Sequence, residues 1–476
     1  MIHVTFDRES KVALFRQIYR SIRQDILAGK IKGNTRLPST RQLSEELHVA
    51  RNVILECYDQ LAAEGYVYTR SGAGTYVNTG LVLSKHTAES DGFSQSKESA
   101  GSEGGKRTLT RVSFRTGIPD LSCIPVRKWG QMYHKVALDI QPEQMDYQNP
   151  QGDLHLRKAL ADYLNRARGT LAEPDNILIT NGAAQAFHLL CQLVGTHEYV
   201  AVEDPLSLGL KNTLEKNAVS MQSVPLDENG LNPEALPQKS QAPALIFTTP
   251  SHQFPTGSVL TASRRVALMN YVSQKDSYIV EDDYDSEFRF DGYSTESIQS
   301  MAPDRVIYVG TFSKTLMPSL RIGYMVLPAK LRKKMCESKY LSDIHSTELE
   351  QRTLAEFLES GAFELHLERM RKHYHHKRNL LISCLQNTFG ERVHITGAAA
   401  GLHLVAAFSG VSLQESLMEK IHRAGIEITS VESHLLDRME STKYENELVF
   451  GYGNMEINTM KQGVELLAQV LYSGQN

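Results

Sequence analysis

Short buried strand patterns alternate with helical patterns from about residue 113 to the C-terminus, and this alternation limits the folds that the chain can adopt. The strand-like runs cover residues 244–248, 278–281 and 305–310, and the helical runs cover 183–194, 263–273 and much of 338–385. Alternating strands and helices predict an α/β body with a mostly parallel sheet. We expect residues 113–476 to form this body, with a large part at about 146–335 and a small part at about 336–476.

A change in composition at residues 79–112 separates the body from an N-terminal domain at residues 1–78. This segment holds six Ser and five Gly, carries charges of both signs and has few apolar residues. Such a composition cannot form a core and predicts a flexible linker. A linker of this length has a typical reach of roughly 30 Å. The N-terminal domain can therefore contact its own body or that of a neighbouring chain.

Charge and cysteine content narrow the class of protein. The net charge of −4 excludes a basic nucleic-acid coat, although residues 1–78 hold 11 Lys and Arg against 8 Asp and Glu, while the remainder holds 40 against 47. The five cysteines are scattered without a C-x-x-C pair, which excludes a disulfide scaffold or a clustered zinc site and favours a reducing compartment. No apolar run approaches the ~20 residues that span a bilayer. We expect a cytoplasmic protein without metal or membrane contacts.

The N-terminal domain has the pattern of a winged helix-turn-helix. Apolar residues from Phe15 to Ile26 recur at helical spacing, and Ser39 with Gln42 predicts a capping box that starts the next helix. Another helix is expected from about Ala50, burying Val53, Cys57 and Leu61. Residues 66–77 then read as a β-hairpin with a Gly-containing turn, the wing.

Residues 37–43, Leu-Pro-Ser-Thr-Arg-Gln-Leu, and 47–51, Leu-His-Val-Ala-Arg, resemble the helix-turn-helix of GntR regulators. The resemblance departs at Ala50, where that family commonly has Ser. It implies double-stranded operator DNA as a partner. Arg51 and Asn52 are placed to read base edges in the major groove. Contacts to phosphates are expected from Arg36, Ser39, Thr40 and Arg41, and Gly74 allows the wing backbone to approach the minor groove. The alternative is an α+β domain with solvated arginines.

Four segments of the body together supply what pyridoxal 5'-phosphate (PLP) requires. Lys314 offers an amine for the aldehyde, Asp282 a carboxylate for the pyridine nitrogen, and Tyr284 a hydroxyl for the phenolate oxygen. The phosphate needs hydroxyls, a cation and helix N–H groups, which Thr311, Ser313, Arg321, Ala183 and Ala184 provide. Each segment alone has an ordinary structural explanation as a turn or a solvated side chain. Their joint presence in this order predicts a PLP site.

The body resembles a fold-type I PLP-dependent aminotransferase. This resemblance implies a homodimer with the site at the interface and Tyr147 sent to the partner's phosphate. A GntR-like head on such a body resembles the bacterial MocR subgroup of GntR regulators. Members of that subgroup are typically head-to-tail, domain-swapped dimers that act at the nucleoid and use the cofactor for sensing.

The sequence departs from working aminotransferases at several positions. Phe254 replaces the Asn that faces the phenolate oxygen, and His252 and Gln253 are candidate substitutes. Ser207 replaces the aromatic residue that stacks on the ring. Asn454 stands where the Arg for the substrate carboxylate is expected, and Gly209 stands at the place of a second Arg. Three other arginines are candidate carboxylate ligands: Arg371, Arg378 and Arg423.

These departures favour a regulator that senses PLP itself through an imine at Lys314 and controls vitamin B6 synthesis or salvage genes. We expect no turnover. The alternatives are a small-molecule effector such as an amino acid that reacts with the cofactor, a working aminotransferase tethered to DNA, and an inert dimerisation scaffold. The intact Lys314, Asp282, Tyr284 and Arg321 argue against the scaffold.

Overall fold

The computed structural model describes residues 4, 7, 12–70, 74–81, 112–238, 241–292, 295–436 and 443–472. Most of the predicted linker, residues 82–111, lies outside the described residues. At its edges, Leu81 packs into the core of the head and Val112 begins a strand of the body. Within the described part, no helix is both long enough and apolar enough to cross a bilayer.

The N-terminal head contains three helices and a two-stranded hairpin. Its elements are α1 (Leu14–Leu27), α2 (Thr40–Leu47), α3 (Arg51–Ala63), β1 (Val67–Arg70) and β2 (Gly74–Val77). The side chain of Ser39 accepts a hydrogen bond from the Gln42 N–H, as predicted. The Gln42 amide donates to Glu46 instead of closing the capping box. Helix α3 buries Ile54, Cys57 and Leu61, whereas Val53 is only half-buried. The predicted burial of Val53 is therefore wrong, and the next residue, Ile54, is buried in its place.

The body comprises the remaining helices and strands. Its helices are α4 (Val126–Asp139), α5 (Leu154–Ala167), α6 (Ala183–Cys191), α7 (Leu208–Lys216), α8 (Ala262–Gln274), α9 (Ala329–Asp343), α10 (Glu348–Glu359), α11 (Ala362–Phe389), α12 (Glu415–Arg423) and α13 (Ile457–Leu471). Its strands are β3 (Val112–Ser113), β4 (Ile177–Thr180), β5 (Tyr199–Asp204), β6 (Ser220–Asp227), β7 (Gly230–Leu231), β8 (Leu245–Thr248), β9 (Tyr278–Asp283), β10 (Val306–Thr311), β11 (Gly323–Val326), β12 (Val393–Thr396), β13 (His403–Phe408), β14 (Ile426–Glu427), β15 (Thr429–Ser430) and β16 (Glu447–Gly451).

An eight-stranded sheet forms the centre of the large part, in the order β4-β11-β10-β9-β8-β5-β6-β7. Strands β10, β9, β8, β5 and β6 are parallel, whereas β11 runs antiparallel to both of its neighbours. Strands β5, β8, β9 and β10 are mainly buried, as expected for a sheet covered on both faces, whereas β6 is partly exposed. Their carboxyl ends lie along one edge, where α/β proteins usually bind ligands.

The small part is built on an antiparallel sheet, β12-β13-β16-β15. Strand β3, which follows the predicted linker, pairs with β14, so the first described residues of the body join the small part. Loop 397–402 of the small part packs against the large part: a Cβ added to Gly257 would lie 2.2 Å from Cα of Gly397. The two parts therefore meet next to the carboxyl edge of the large sheet.

Candidate cofactor site and DNA-binding surface

A cavity of about 340 Å³ lies where strands β5, β8, β9 and β10 end and helix α6 begins. Eight of the nine predicted cofactor residues line this cavity: Ala183, Ala184, Asp282, Tyr284, Thr311, Ser313, Lys314 and Arg321. These residues are up to 138 positions apart in sequence. They meet in the cavity because parallel strands end at one edge of the sheet.

Lys314 lies in the loop after β10 and is largely removed from solvent. Its Nζ donates a hydrogen bond of 2.5 Å to the carbonyl oxygen of Gly117. Burial lowers the pKa of Lys314, the carboxylates of Asp285 and Asp282 oppose this effect, and the cations Arg115 and Arg321 add to it. A lower pKa leaves more of the amine neutral and therefore nucleophilic towards an aldehyde.

Asp282 lies near the end of β9 and faces the cavity. Burial, together with the nearby carboxylates of Asp283, Asp285 and Glu203, raises the pKa of its carboxyl to about 7, although the Lys314 amine opposes this shift. A cation placed against this carboxyl relieves that repulsion and favours the charged form. The site is therefore suited to a ring nitrogen that carries a proton.

The start of α6 and the loop after β10 form an anion-binding corner. Gly182 precedes α6 with φ 83°, and Ala183 and Ala184 are the first residues of that helix, where N–H groups lack helical partners. The Nη2 atom of Arg321 donates to the Asn181 carbonyl at 2.6 Å. A Cβ at position 182 would lie 2.8 Å from this Nη2, so the contact requires glycine. The Thr311 hydroxyl donates a hydrogen bond of 3.0 Å to the Ser313 hydroxyl, and both residues line the cavity.

Phe254 lines the cavity at the position where aminotransferases carry Asn, and the two candidate substitutes behave differently. The Gln253 amide points away and donates to the carbonyl oxygens of Pro205 and Phe254. Nδ1 of His252 lies 3.2 Å from the Tyr284 hydroxyl and 3.1 Å from Oδ1 of Asp285. Asp285 is a site residue that the sequence analysis missed, although it belongs to the same Glu-Asp-Asp-Tyr-Asp segment.

The candidate carboxylate ligands lie outside the cavity. Arg371 donates to the Glu287 carbonyl, Arg378 pairs with Asp291, and Arg423 pairs with Glu419 on the surface. Asn454 accepts a long hydrogen bond from the Leu121 N–H. Among the described residues that line the cavity, Arg321 is therefore the only arginine, and it lies in the anion-binding corner. Ser207 does line the cavity, but its hydroxyl caps α7 by accepting from the Leu210 N–H.

Tyr147 lies apart from the cofactor cavity, with 77% of its side chain exposed. Its ring centroid is 6.2 Å from that of His345, beside a separate surface cleft. The structure of one chain does not bring Tyr147 to its own site, and its assignment to a partner's phosphate stays a prediction.

Five of the seven predicted DNA-binding residues are exposed on the head, whereas Thr40 and Gly74 are half-buried. Arg51 and Asn52 are exposed at the start of α3, and Nε of Arg51 lies 3.3 Å from Oγ1 of Thr40. Arg41 is exposed beside Glu45, and Ser39 is occupied as the cap of α2. Leu55, one turn after Arg51, is 47% exposed and was not predicted, although exposed apolar groups on such helices suit thymine methyl groups.

The wing shows a second feature that the sequence analysis missed. The Arg70 guanidinium lies 5.3 Å and 5.0 Å from the ring centroids of Tyr68 and Tyr76. Gly74 has φ 111°, and a Cβ there would lie 2.9 Å from Nε of Arg36. Gly74 thus allows Arg36 to lie against the wing, in addition to the close backbone approach that was predicted.

Comparisons with known proteins match both parts of the chain. Residues 14–77 match the family described as bacterial regulatory proteins, gntR family, and residues 115–438 match aminotransferase class I and II. A probable rhizopine catabolism regulatory protein, MocR, from Rhizobium meliloti is 32% identical over 98% of this chain and 95% of its own. The pyridoxine biosynthesis transcriptional regulator PdxR of Corynebacterium glutamicum is 30% identical over 94% of this chain and 93% of its own.

The solved structures support the fold of the body. A kynurenine aminotransferase of Pyrococcus horikoshii aligns with a TM-score of 0.70 at 24% identity, covering 78% of this chain and 92% of that chain. This similarity confirms the expected fold-type I α/β architecture. At this identity the likeness concerns the fold alone.

Proposed function

Because the chain belongs to the MocR type of GntR regulators, with a GntR helix-turn-helix joined to an aminotransferase class I and II body, we propose that it senses PLP directly. In this proposal the head binds operator DNA and the body reports the supply of vitamin B6. The regulated genes are then those of vitamin B6 synthesis or salvage. A DNA-binding regulator of this kind acts in the bacterial cytoplasm.

One observation carries the choice of effector. The cavity is lined by groups suited to the aldehyde, the ring nitrogen and the phosphate of PLP, yet among its described lining residues the only arginine lies in the phosphate corner. A substrate or effector carboxylate is usually held by an additional bidentate Arg. Its absence from this lining favours the cofactor itself over an amino acid. The PdxR relative, which regulates pyridoxine biosynthesis by name, is in keeping with this choice.

The residues fit the cofactor in charge and in hydrogen-bonding capacity. Ala183 and Ala184 with Arg321, Thr311 and Ser313 would hold the phosphate, Asp282 the ring nitrogen, and Tyr284 the phenolate oxygen. When bound, PLP supplies an aldehyde that bonds covalently to a lysine amine. Lys314, which is held by Gly117 and has a lowered pKa, is the residue placed to make that bond.

The test measures binding of the full-length apo-protein to its own upstream DNA, with and without PLP, at fixed salt. We expect PLP alone to change the Kd for this DNA and to produce a visible absorption band. Lys314→Ala should lose both the band and the response of DNA binding, while keeping its basal affinity for DNA. Arg371→Ala is a matched control, since Arg371 is a cation of the body outside the cavity.

The other candidate functions predict different outcomes. If PLP binds but DNA binding responds only after an amino compound is added, that compound is the effector. If the protein transfers amino groups at steady state, it is a working aminotransferase. If Lys314→Ala leaves regulation unchanged, the body is a scaffold, and the proposal is wrong.

We also propose that the regulator acts as a homodimer with the cofactor site at the interface. Several large apolar side chains of the body are unusually exposed in the single chain, namely Val126, Leu138, Met145, Tyr147 and Leu341. Adjoining exposed apolar residues mark an association surface, and Met145 and Tyr147 lie together at one surface cleft. In the single chain the head contacts its own body through Arg20, Arg23 and Glu296, and in a head-to-tail dimer the same surface would receive the partner's head. Sedimentation of the holo-protein and of Leu341→Lys tests the dimer.

A further inference from the structure

The head is attached to a body by a buried polar contact. Nε of Arg20 and Nη1 of Arg23, both on α1, donate to the two carboxylate oxygens of Glu296 at 3.0 Å and 2.8 Å. The Arg23 and Glu296 side chains are only 6% and 4% exposed. Glu296 is thus a body residue whose charge is neutralised by the DNA-binding head.

Further contacts surround this ion pair. The Tyr66 hydroxyl accepts from Nε of Arg23, and the Ala262 N–H of the body donates to the Glu64 carbonyl at 3.2 Å. Ala262 and Val266 of α8 pack into the apolar core of the head. A buried ion pair contributes little net stability but strongly disfavours the loss of one partner. Such a contact is specific and suits a reversible attachment.

Glu296 is also connected to strand β9. The next residue, Ser297, donates through its hydroxyl to Glu281 at 2.6 Å, and the Ile298 and Gln299 N–H groups donate to the same carboxylate at 3.1 Å. Arg168 donates to Asp283 at 2.7 Å and to the Thr295 carbonyl at 2.8 Å. Segment 295–299 is therefore held by the side chains of Glu281 and, through Arg168, Asp283.

Glu281 and Asp283 flank Asp282 on the same strand. Because side chains alternate along a strand, Asp282 faces the cavity while its two neighbours face the opposite side. One face of β9 lines the cofactor cavity, and the other face holds segment 295–299, which contacts the head. We propose that this arrangement couples the two sites: Glu296 with Arg20 and Arg23 forms the contact through which occupation of the cofactor cavity changes the position of the head.

This inference rests on the proposed function, because it requires PLP to act in that cavity. A ligand shifts the head only if it binds the attached and detached states with different affinity. By linkage, detachment of the head must then change the affinity for PLP by the same factor. The contact would work equally with the head of the same chain or that of a second copy, since both carry Arg20 and Arg23.

The test compares full-length wild type with Glu296→Gln, Arg23→Met and the double variant. For each, the Kd for the upstream DNA is measured with and without PLP, and the Kd for PLP is measured by absorption. In wild type we expect PLP to change the DNA Kd by about 5-fold or more. In Glu296→Gln and Arg23→Met that ratio should fall towards 1 while the absorption band persists, and the double variant should add little to either single change.

Asp276→Asn is the matched control, because Asp276 also pairs with an arginine of the body, Arg305, but is 80% exposed. It should respond to PLP as wild type does. If wild type responds to PLP and Glu296→Gln responds equally, the coupling is overturned while the proposed function stands. If wild type binds PLP without any change in DNA binding, both fail. A general folding defect is excluded by requiring that the DNA Kd of each variant, with and without PLP, lies within about 3-fold of one of the two wild-type values, because a variant without the contact should occupy one of the two wild-type states.

Discussion

The Tyr284 hydroxyl lies 3.2 Å from Nδ1 of His252. The same nitrogen lies 3.1 Å from Oδ1 of Asp285; Tyr284 and Asp285 line the cofactor cavity, and His252 is buried next to them. Aminotransferases use an Asn at the position of Phe254 to support the phenolate oxygen. In this chain, the ring of His252 holds the Tyr284 side chain from behind instead.

We predict that His252→Phe weakens PLP binding without abolishing it. Loss of one net hydrogen bond that orients Tyr284 corresponds to about 1 kcal/mol, or roughly 5-fold in Kd. The Kd is measured by titrating the apo-protein with PLP and following its absorption well below the melting temperature. The control is His434→Phe, because His434 is also a buried histidine, and its Nδ1 bonds the Leu206 carbonyl at 3.2 Å. Equal losses in both variants would contradict the assigned role.

A second prediction concerns Asp282 and pH. Burial raises the pKa of this carboxyl from its ordinary value near 3.8 to about 7. Between these two values the folded apo-protein binds a proton that the unfolded chain does not, so its stability falls as pH rises through this range. We therefore expect the fall in melting temperature of the apo-protein between pH 5 and pH 8 to be smaller in Asp282→Asn than in wild type.

The same variant should bind PLP much more weakly, because an amide cannot neutralise a protonated ring nitrogen. Thermal unfolding at pH 5, 6, 7 and 8 and PLP titration together test both effects. Asp276→Asn, on the exposed surface, should change neither the pH dependence nor the affinity for PLP. An unchanged pH dependence in Asp282→Asn would contradict this role of Asp282 and assign the effect to other buried carboxyls, such as Glu281 and Glu287, whose pKa burial also raises to about 7.

Local patterns predicted most of the architecture and the residues at strand ends. Buried runs and helical periodicity are properties of neighbouring residues, and parallel strands necessarily bring Asp282 and Lys314 to one edge. Partners distant in sequence were not predictable in this way. The carbonyl of Gly117, 197 positions before Lys314, and the His252 ring behind Tyr284 depend on how loops pack.

The wrong prediction that Val53 is buried also results from packing that the local sequence does not determine. Val53 and Ile54 both lie at helical spacing from Leu61, and only the tertiary packing of α3 on α1 decides that Ile54 is the buried one. The attachment of the head to Glu296 was also not predictable. Neither Arg20, Arg23 nor Glu296 belongs to a recognisable motif, and their contact spans more than 270 positions of sequence.

For DNA recognition we predict that Arg51→Ala and Arg41→Ala differ in kind. Arg51 is exposed at the start of the recognition helix, so its loss should cost about 1–3 kcal/mol on operator DNA and much less on random DNA. Arg41 is placed to contact phosphates, so its loss should weaken binding to operator DNA and to random DNA alike. It should also reduce the slope of log affinity against log salt concentration by about one. Competition binding at several salt concentrations measures these effects. Equal losses on both DNAs for Arg51→Ala would show that it contacts phosphate only.

The wing offers the sharpest paired comparison. Gly74 and Gly80 both have positive φ, of 111° and 79°, so alanine strains the backbone at either position. A Cβ at Gly74 would lie 2.9 Å from Nε of Arg36, whereas a Cβ at Gly80 has no atom within 4 Å. We therefore expect Gly74→Ala to displace Arg36 and to weaken operator binding by about 10-fold, the loss of one charge-assisted phosphate contact. Gly80→Ala should lower the melting temperature comparably yet keep the affinity for DNA. If both variants bind DNA equally, Arg36 makes no contact that depends on the wing.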